Sequence, residues 1–259
     1  MRADKPMRNL KRLLAAGFYV VATACGTKEA AGPLEPTGPT GRVRFVDMIT
    51  DTTRGRVNAI LEGLPFGVNL TYGQSTPASL PSPSTANYSP VYAGNRTLLL
   101  KRTADTSAVI ATISFTVTAN QDQSIYAIGG ASGSTIAPLI VQDDNPTIGS
   151  SATRLRFVNL SPTAAGVDIF VTPLNADLST ATPTFTNVGY RGASTYATPA
   201  VGTYVVRIVP TGTAPAARTA AVLATIETLS LSGGAGRTVV IGDRNLGGTP
   251  ITMFVLTDQ

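Results

Sequence analysis

The sequence predicts an all-β chain: two tandem antiparallel β-sandwich domains of immunoglobulin-like size, behind a signal peptide and a flexible tether. Three observations predict it. Val, Ile, Thr, Ala, Ser and Gly dominate, charged residues are only 14% and tryptophan is absent, a vocabulary of strands and tight turns rather than surface helices. Apolar residues in the body recur with period two, and no stretch there carries a sustained helical stripe. The body also repeats itself, block by block and in the same order.

Residues 1–24 read as an export signal. Arg8, Lys11 and Arg12 form a positive patch ahead of an apolar run from Leu13 to Ala24. Such a run, about twelve residues, reaches only about 18 Å as a helix, against a hydrocarbon core of roughly 30 Å. That length suits the apolar core of a signal better than a spanning helix. Ala22, Thr23 and Ala24 then place small side chains ahead of Cys25, the single cysteine.

This stretch resembles a bacterial lipobox, with Ala22 where leucine is commonest. The resemblance implies that the Cys25 thiol takes a diacylglyceryl group through a thioether and that the new N-terminus is acylated. A thiol is the strong nucleophile this reaction needs. Several acyl chains on one residue anchor firmly where a single chain binds marginally. Gly26, in place of Asp, implies sorting to the outer membrane of a Gram-negative envelope. A plain signal with an incidental cysteine is the competing reading. Residues 25–41 hold Cys25 and a Gly/Pro-rich tether, in which Pro33, Pro36 and Pro39 alternate with Gly32, Gly38 and Gly41. Its extended bias lets it hold a folded body up to about 50 Å from the anchor.

The two repeats are expected at 42–145 and 154–259, joined by the linker 146–153. RVRFVD from Arg42 recurs as RLRFVN from Arg154, and VNAILEG from Val57 as VDIFVTP from Val167. NLTYGQST from Asn69 echoes NVGYRGAST from Asn187 with one residue inserted, and SPVYAGNRTLLLK from Ser89 parallels TPAVGTYVVRIV from Thr198. Ala108–Gly129 lies on Ala221–Gly242 without a gap, and IAPLIVQDD from Ile136 corresponds to ITMFVLTD from Ile251. Units of about a hundred residues can bury roughly two-thirds of their unfolded surface, enough for a core each. Within them, Ile113, Phe115 and Val117 oppose Thr112, Ser114 and Thr116, and Tyr204, Val206 and Ile208 oppose Val205, Arg207 and Val209. NQDQ at Asn120 and SGGAGR at Ser232 are expected as hairpin connections. A small barrel is the alternative architecture.

RLRFVNLSP, then VDIFV, then the Tyr-Gly element, then PAVGTYVVRI resemble the domain of unknown function 4397 family, whose members are exported bacterial proteins and lipoproteins, often with the domain in tandem. The second unit carries the pattern through Val240. The first departs from it: DMITDTTRGR stands where an N-x-S-P turn is expected, and PASLPSPSTA interrupts the middle. The resemblance implies a fold and a location, and it brings no activity with it.

Chemistry is sparse. Residues 1–24 hold five bases and one acid; without them 15 of the 20 basic and 14 of the 15 acidic residues are left. The high pI therefore belongs to the signal, and no basic face is expected for nucleic acid. With no histidine, imidazole-based triads and zinc sites are excluded. Ser75 and Ser194 follow glycine turns, but neither sits in a G-x-S-x-G elbow and turn hydroxyls explain both. Asp143, Asp144 and Asn145 lack the alternating spacing of a calcium loop and are expected as a solvated strand end. No cofactor or metal is expected. Tyr72 and Tyr190 are the candidate ligand-binding residues, as platforms for a sugar ring. The expected protein is non-enzymatic, held to the membrane by its lipid anchor and serving an envelope protein or glycan. A surface glycan-binding module is the alternative, and a serine hydrolase the third reading.

Overall fold

The computed structural model describes residues 38–51, 55–77, 87–130 and 135–258. Cys25, the signal segment and most of the tether lie outside the described residues, as does most of PASLPSPSTA.

The first repeat contains β1 (Thr40–Ile49), β2 (Val57–Leu61), β3 (Leu64–Leu70), β4 (Ser75–Thr76), β5 (Ser89–Tyr92), β6 (Gly94–Arg102), β7 (Val109–Val117), β8 (Asp122–Gly129) and β9 (Ile136–Asp143). The second contains β10 (Thr153–Asn159), β11 (Gly166–Thr172), β12 (Phe185–Gly189), β13 (Gly192–Ala193), β14 (Gly202–Pro210), β15 (Ala224–Leu231), β16 (Ala235–Gly242) and β17 (Thr252–Thr257). Each repeat is a sandwich of two sheets. An inner sheet runs β4-β1-β8-β9, with β5 also on β1, and an outer sheet runs β3-β2-β6-β7; the second repeat matches them with β13-β10-β16-β17 and β12-β11-β14-β15.

The alternating residues fill these cores. Val43 and Phe45 from β1, Leu98 and Leu100 from β6, and Ile113 and Phe115 from β7 meet in the first sandwich. Leu155, Phe157, Val206 and Ile208 do the same in the second. A third core lies between the two inner sheets, where Val46, Met48, Tyr126 and Ile128 pack on Val158, Leu160, Val240 and Leu256. The central inner strands β1, β8, β10 and β16 therefore bury both faces, and the described body is built of four sheets.

Several expectations are corrected. β1 pairs with β8 in parallel, as β10 does with β16, so each inner sheet is mixed. NQDQ and SGGAGR are not hairpins: β7 and β15 lie in outer sheets while β8 and β16 lie in inner ones, so both turns cross between sheets. The gapless match of the two halves holds only as far as Ile113 and Ile226, which sit opposite Leu98 and Val206. Between Ile226 and Leu229 a β-bulge sets two residues of β15, Glu227 and Thr228, against one of β14, Val205, and the correspondence moves on by one. Val117 opposite Gly94 then answers to Leu231 opposite Gly202. The insertion expected in NVGYRGAST is not needed. Asn69 and Asn187 share a left-handed backbone (φ 61° and 52°), as do Gly73 and Arg191 (83° and 60°), and Val46 pairs with Ser75 as Val158 pairs with Ala193. Ser194 thus corresponds to Thr76, not to Ser75.

Candidate functional site

The seam between the inner sheets concentrates the polar chemistry of the described residues. Arg44 and Arg156 occupy corresponding places in β1 and β10, and both are almost wholly buried. Arg44 donates from Nη2 to Asp258 Oδ1 (3.0 Å) and from Nη1 to the Thr257 carbonyl (2.9 Å), both in the second repeat. Arg156 donates to Asp143 Oδ1 and to the Gln142 carbonyl (3.1 Å), both in the first. Each arginine also donates from Nε to a hydroxyl of its own repeat, Arg44 to Ser124 (3.0 Å) and Arg156 to Thr238 (2.9 Å). Those hydroxyls donate onward to Asp143 (2.6 Å) and Asp258 (2.7 Å). Six side chains so close a ring, and its exchanged partners relate the repeats by an approximate two-fold.

Aromatic rings cover this network. Tyr88 lies 4.6 Å from the Arg44 guanidinium and Tyr196 lies 4.9 Å from that of Arg156, attractive positions for a cation over a ring face. The Tyr88 hydroxyl donates to Asp143 Oδ2 at 2.8 Å. Burial opposes the charge on Arg44 and Arg156, but the surrounding phenols and aspartates more than offset it and both guanidinium pKa values are raised. Asp143, expected as a solvated strand-end acid, is instead one of the buried members of the ring.

The two ends of the seam differ. At one end Arg191, at the left-handed turn, donates from Nη2 to the Pro138 carbonyl (2.5 Å), and a cavity of only about 200 Å³ is left beside Tyr190. At the other end the same turn position is Gly73, and a Cβ there would meet the Phe254 ring at 2.3 Å. Tyr72 packs edge-on against Phe254, centroids 5.4 Å apart, and its hydroxyl donates to the Asp243 carbonyl at 2.5 Å. Beside this pair opens a cleft of about 520 Å³.

Two further sequence differences open that end. In the second repeat Asn159 holds the following turn shut: Oδ1 accepts from Ser161 N–H (3.0 Å), and Nδ2 donates to the carbonyls of Ala164 (2.7 Å) and Val188 (3.0 Å). The first repeat has Asp47 there, which accepts from Ile49 N–H at 3.0 Å. A carboxyl has at most one proton to give where the Asn159 amide gives two. The segment replacing the N-x-S-P turn contributes Ile49, Asp51, Gly55 and Arg56 to the cleft wall, with Arg244 and Asn245 facing them from the second repeat. Burial pushes the Asp47 carboxyl up to about 7, opposed only by the Ile49 hydrogen bond. Burial likewise raises the Tyr72 phenol. Among the described residues Arg56 makes no ion pair, and the Arg244 side chain bonds only to the Gly247 carbonyl, at 3.1 Å from Nε.

The other candidate residues scatter. Ser75 is buried in β4, and Ser194 is spent on backbone, accepting from Phe157 N–H (2.9 Å) and donating to the Thr195 carbonyl (2.7 Å). Asp144 pairs with Arg154 (2.8 Å) and Asn145 donates to Asp122 (2.8 Å), so Asp143, Asp144 and Asn145 point to three different partners. Tyr190 is 39% exposed at the closed end, while the Tyr72 ring lines the open cleft from a position wedged between repeats. Sequence reasoning missed Arg56, Asp47, Arg244 and Phe254. The one available signal was that the first repeat breaks the shared pattern at DMITDTTRGR, which holds Asp47 and Arg56.

The family model described as Domain of unknown function (DUF4397) matches residues 41–170. The chain belongs to this family. The DUF4397 match takes in the whole first repeat and the start of the second, so it falls mainly on the half whose motif is interrupted; Arg44, Ser124, Asp143 and Arg156 of the ring lie within it. No curated protein matches the chain. Two solved structures align along most of it at low similarity. One is a family CBM26 module of Amy13K from Eubacterium rectale in complex with maltoheptaose, with 7% identity, 83% of this chain and 96% of that chain covered, and a TM-score of 0.24. The other is a cell adhesion protein, so described provisionally, from Bacteroides fragilis, with 10% identity, 85% and 98% covered, and a TM-score of 0.20.

Proposed function

We propose that this DUF4397 protein is a non-enzymatic, lipid-anchored envelope protein that binds a partner in the open cleft at the seam of its repeats. The reading is carried by the asymmetry of the seam: Arg191 reaches across one end, while the other has Gly73 and Asp47 at the corresponding positions and a cleft of about 520 Å³. A pair of repeats serving only as a spacer needs no such difference. The anchor is supported by Cys25, placed after a short apolar run with small residues before it, and an outer-membrane site by Gly26. A glycan partner is favoured by the Tyr72–Phe254 wall of the cleft, since aromatic surface takes the apolar face of a sugar ring.

Two measurements test the reading together. Growth with radioactive palmitate labels the wild type, and Cys25→Ser abolishes the label. A photo-reactive residue at Asn245 captures a partner in intact cells, whereas one at Glu227, exposed on the outer sheet of the second repeat, does not. Persistent label in the serine variant removes the anchor, and equal capture from both positions removes the cleft.

A further inference from the structure

We propose that the seam cleft binds a carboxylate-bearing sugar, a hexuronate residue of an acidic polysaccharide. The inference rests on the cleft being the binding site and names its ligand class. Arg56 from the first repeat and Arg244 from the second line the same cavity, and neither has a carboxylate partner among the described residues. Most other arginines described here are spent: Arg44, Arg156, Arg42 and Arg154 in ion pairs, Arg191, Arg207 and Arg218 on hydrogen bonds to backbone carbonyls. Two guanidinium groups at one opening suit a planar carboxylate, which accepts two parallel N–H bonds from such a fork.

The rest of the wall suits a pyranose. Tyr72 and Phe254 supply apolar surface, and Thr71 and Asn245 supply a hydroxyl and an amide for ring hydroxyls. Asp47, 2% exposed, reaches the same cavity with a carboxyl that accepts only the Ile49 N–H. At neutral pH a large share of it is protonated, so it donates to a sugar oxygen and adds little charge against the ligand. Asp51, the other acid of the wall, is already engaged within the protein. A cavity of about 520 Å³ has room for one or two sugar rings. The corresponding pocket at the Arg191 end, about 200 Å³, does not.

Calorimetric titration of the full chain in detergent with trigalacturonate, and with neutral maltotriose as the comparison, tests this. Saturable binding of trigalacturonate at one site is expected, weakened by added salt and weakened roughly tenfold or more by Arg56→Ala or Arg244→Ala. Arg102→Ala, which removes an equal charge from the outer sheet, leaves it unchanged. Maltotriose binding as tightly, or trigalacturonate binding indifferent to both arginine variants, overturns the assignment. So does an absence of trigalacturonate binding by the wild-type chain when circular dichroism shows it folded. If capture from Asn245 persists in that case, only the ligand class falls; if capture is lost as well, the cleft reading falls with it.

Discussion

Asp47 and Asn159 stand at the same place in two copies of one strand and differ only in the end of the side chain. The consequence is a titration. In the folded protein the Asp47 carboxyl is pushed to about 7, well above the usual 3.8. The folded state therefore holds its proton more tightly than the unfolded chain. The stability this contributes is fully present below about pH 4 and is lost as pH rises through 7. Asp51, Arg56, Tyr72 and Arg244 share the cleft with it. Asp47→Asn is expected to abolish this slope and to exceed the wild type at pH 8 by about 1–3 kcal/mol, read from urea denaturation between pH 4.5 and 8. The aspartate-for-asparagine difference is visible when RVRFVD is set beside RLRFVN. Its burial is not, because alternation along β1 says which residues share a side and nothing about what covers it.

At the scale of the strand, β15 tolerates what its neighbours do not. Its sequence reads Ile226-Glu227-Thr228-Leu229, two exposed residues in succession where strict alternation allows one, and the bulge absorbs the extra residue. Deleting Thr228 removes the bulge and leaves Leu229 opposite Tyr204, so a cost below about 1.5 kcal/mol is expected. Deleting Thr116 from β7 instead carries Val117 to the solvent face and slips the end of the ladder with Gly94, and a loss of several kcal/mol follows. Thermal melts of the two deletions separate the cases. Period-two patterning made strands such as β7 and β14 legible in the sequence. The crossing of NQDQ between sheets was not, because a turn between apolar runs looks the same whether it joins neighbours in one sheet or strands in two. The duplication was legible as well, but the bulge and the insertion expected in NVGYRGAST hid its true register.

At the scale of the molecule, the repeats fold as one body rather than as beads. Tyr126, Met48, Val158 and Val240 bury a core that neither repeat possesses alone, and the charge ring crosses it. A single calorimetric transition is expected for both repeats, although each has its own sandwich. Asp258→Ala strips Arg44 of its buried partner and removes an acceptor from Thr238, and a loss of about 3–5 kcal/mol is expected, shared by probes in either repeat. Two resolved transitions, or a loss confined to the second repeat, would contradict the coupling. The ring was the least legible feature: nothing in strand alternation marks Arg44 and Arg156 as buried. Only their recurrence in both halves, with an aspartate closing each last strand, pointed elsewhere. Because each half carries the other's counter-ion, the crossed pairing works as a proofreading device. A polypeptide truncated after its first half, or assembled with an ill-matched one, exposes a stranded cation on a greasy face, a flaw that quality-control proteases are built to find.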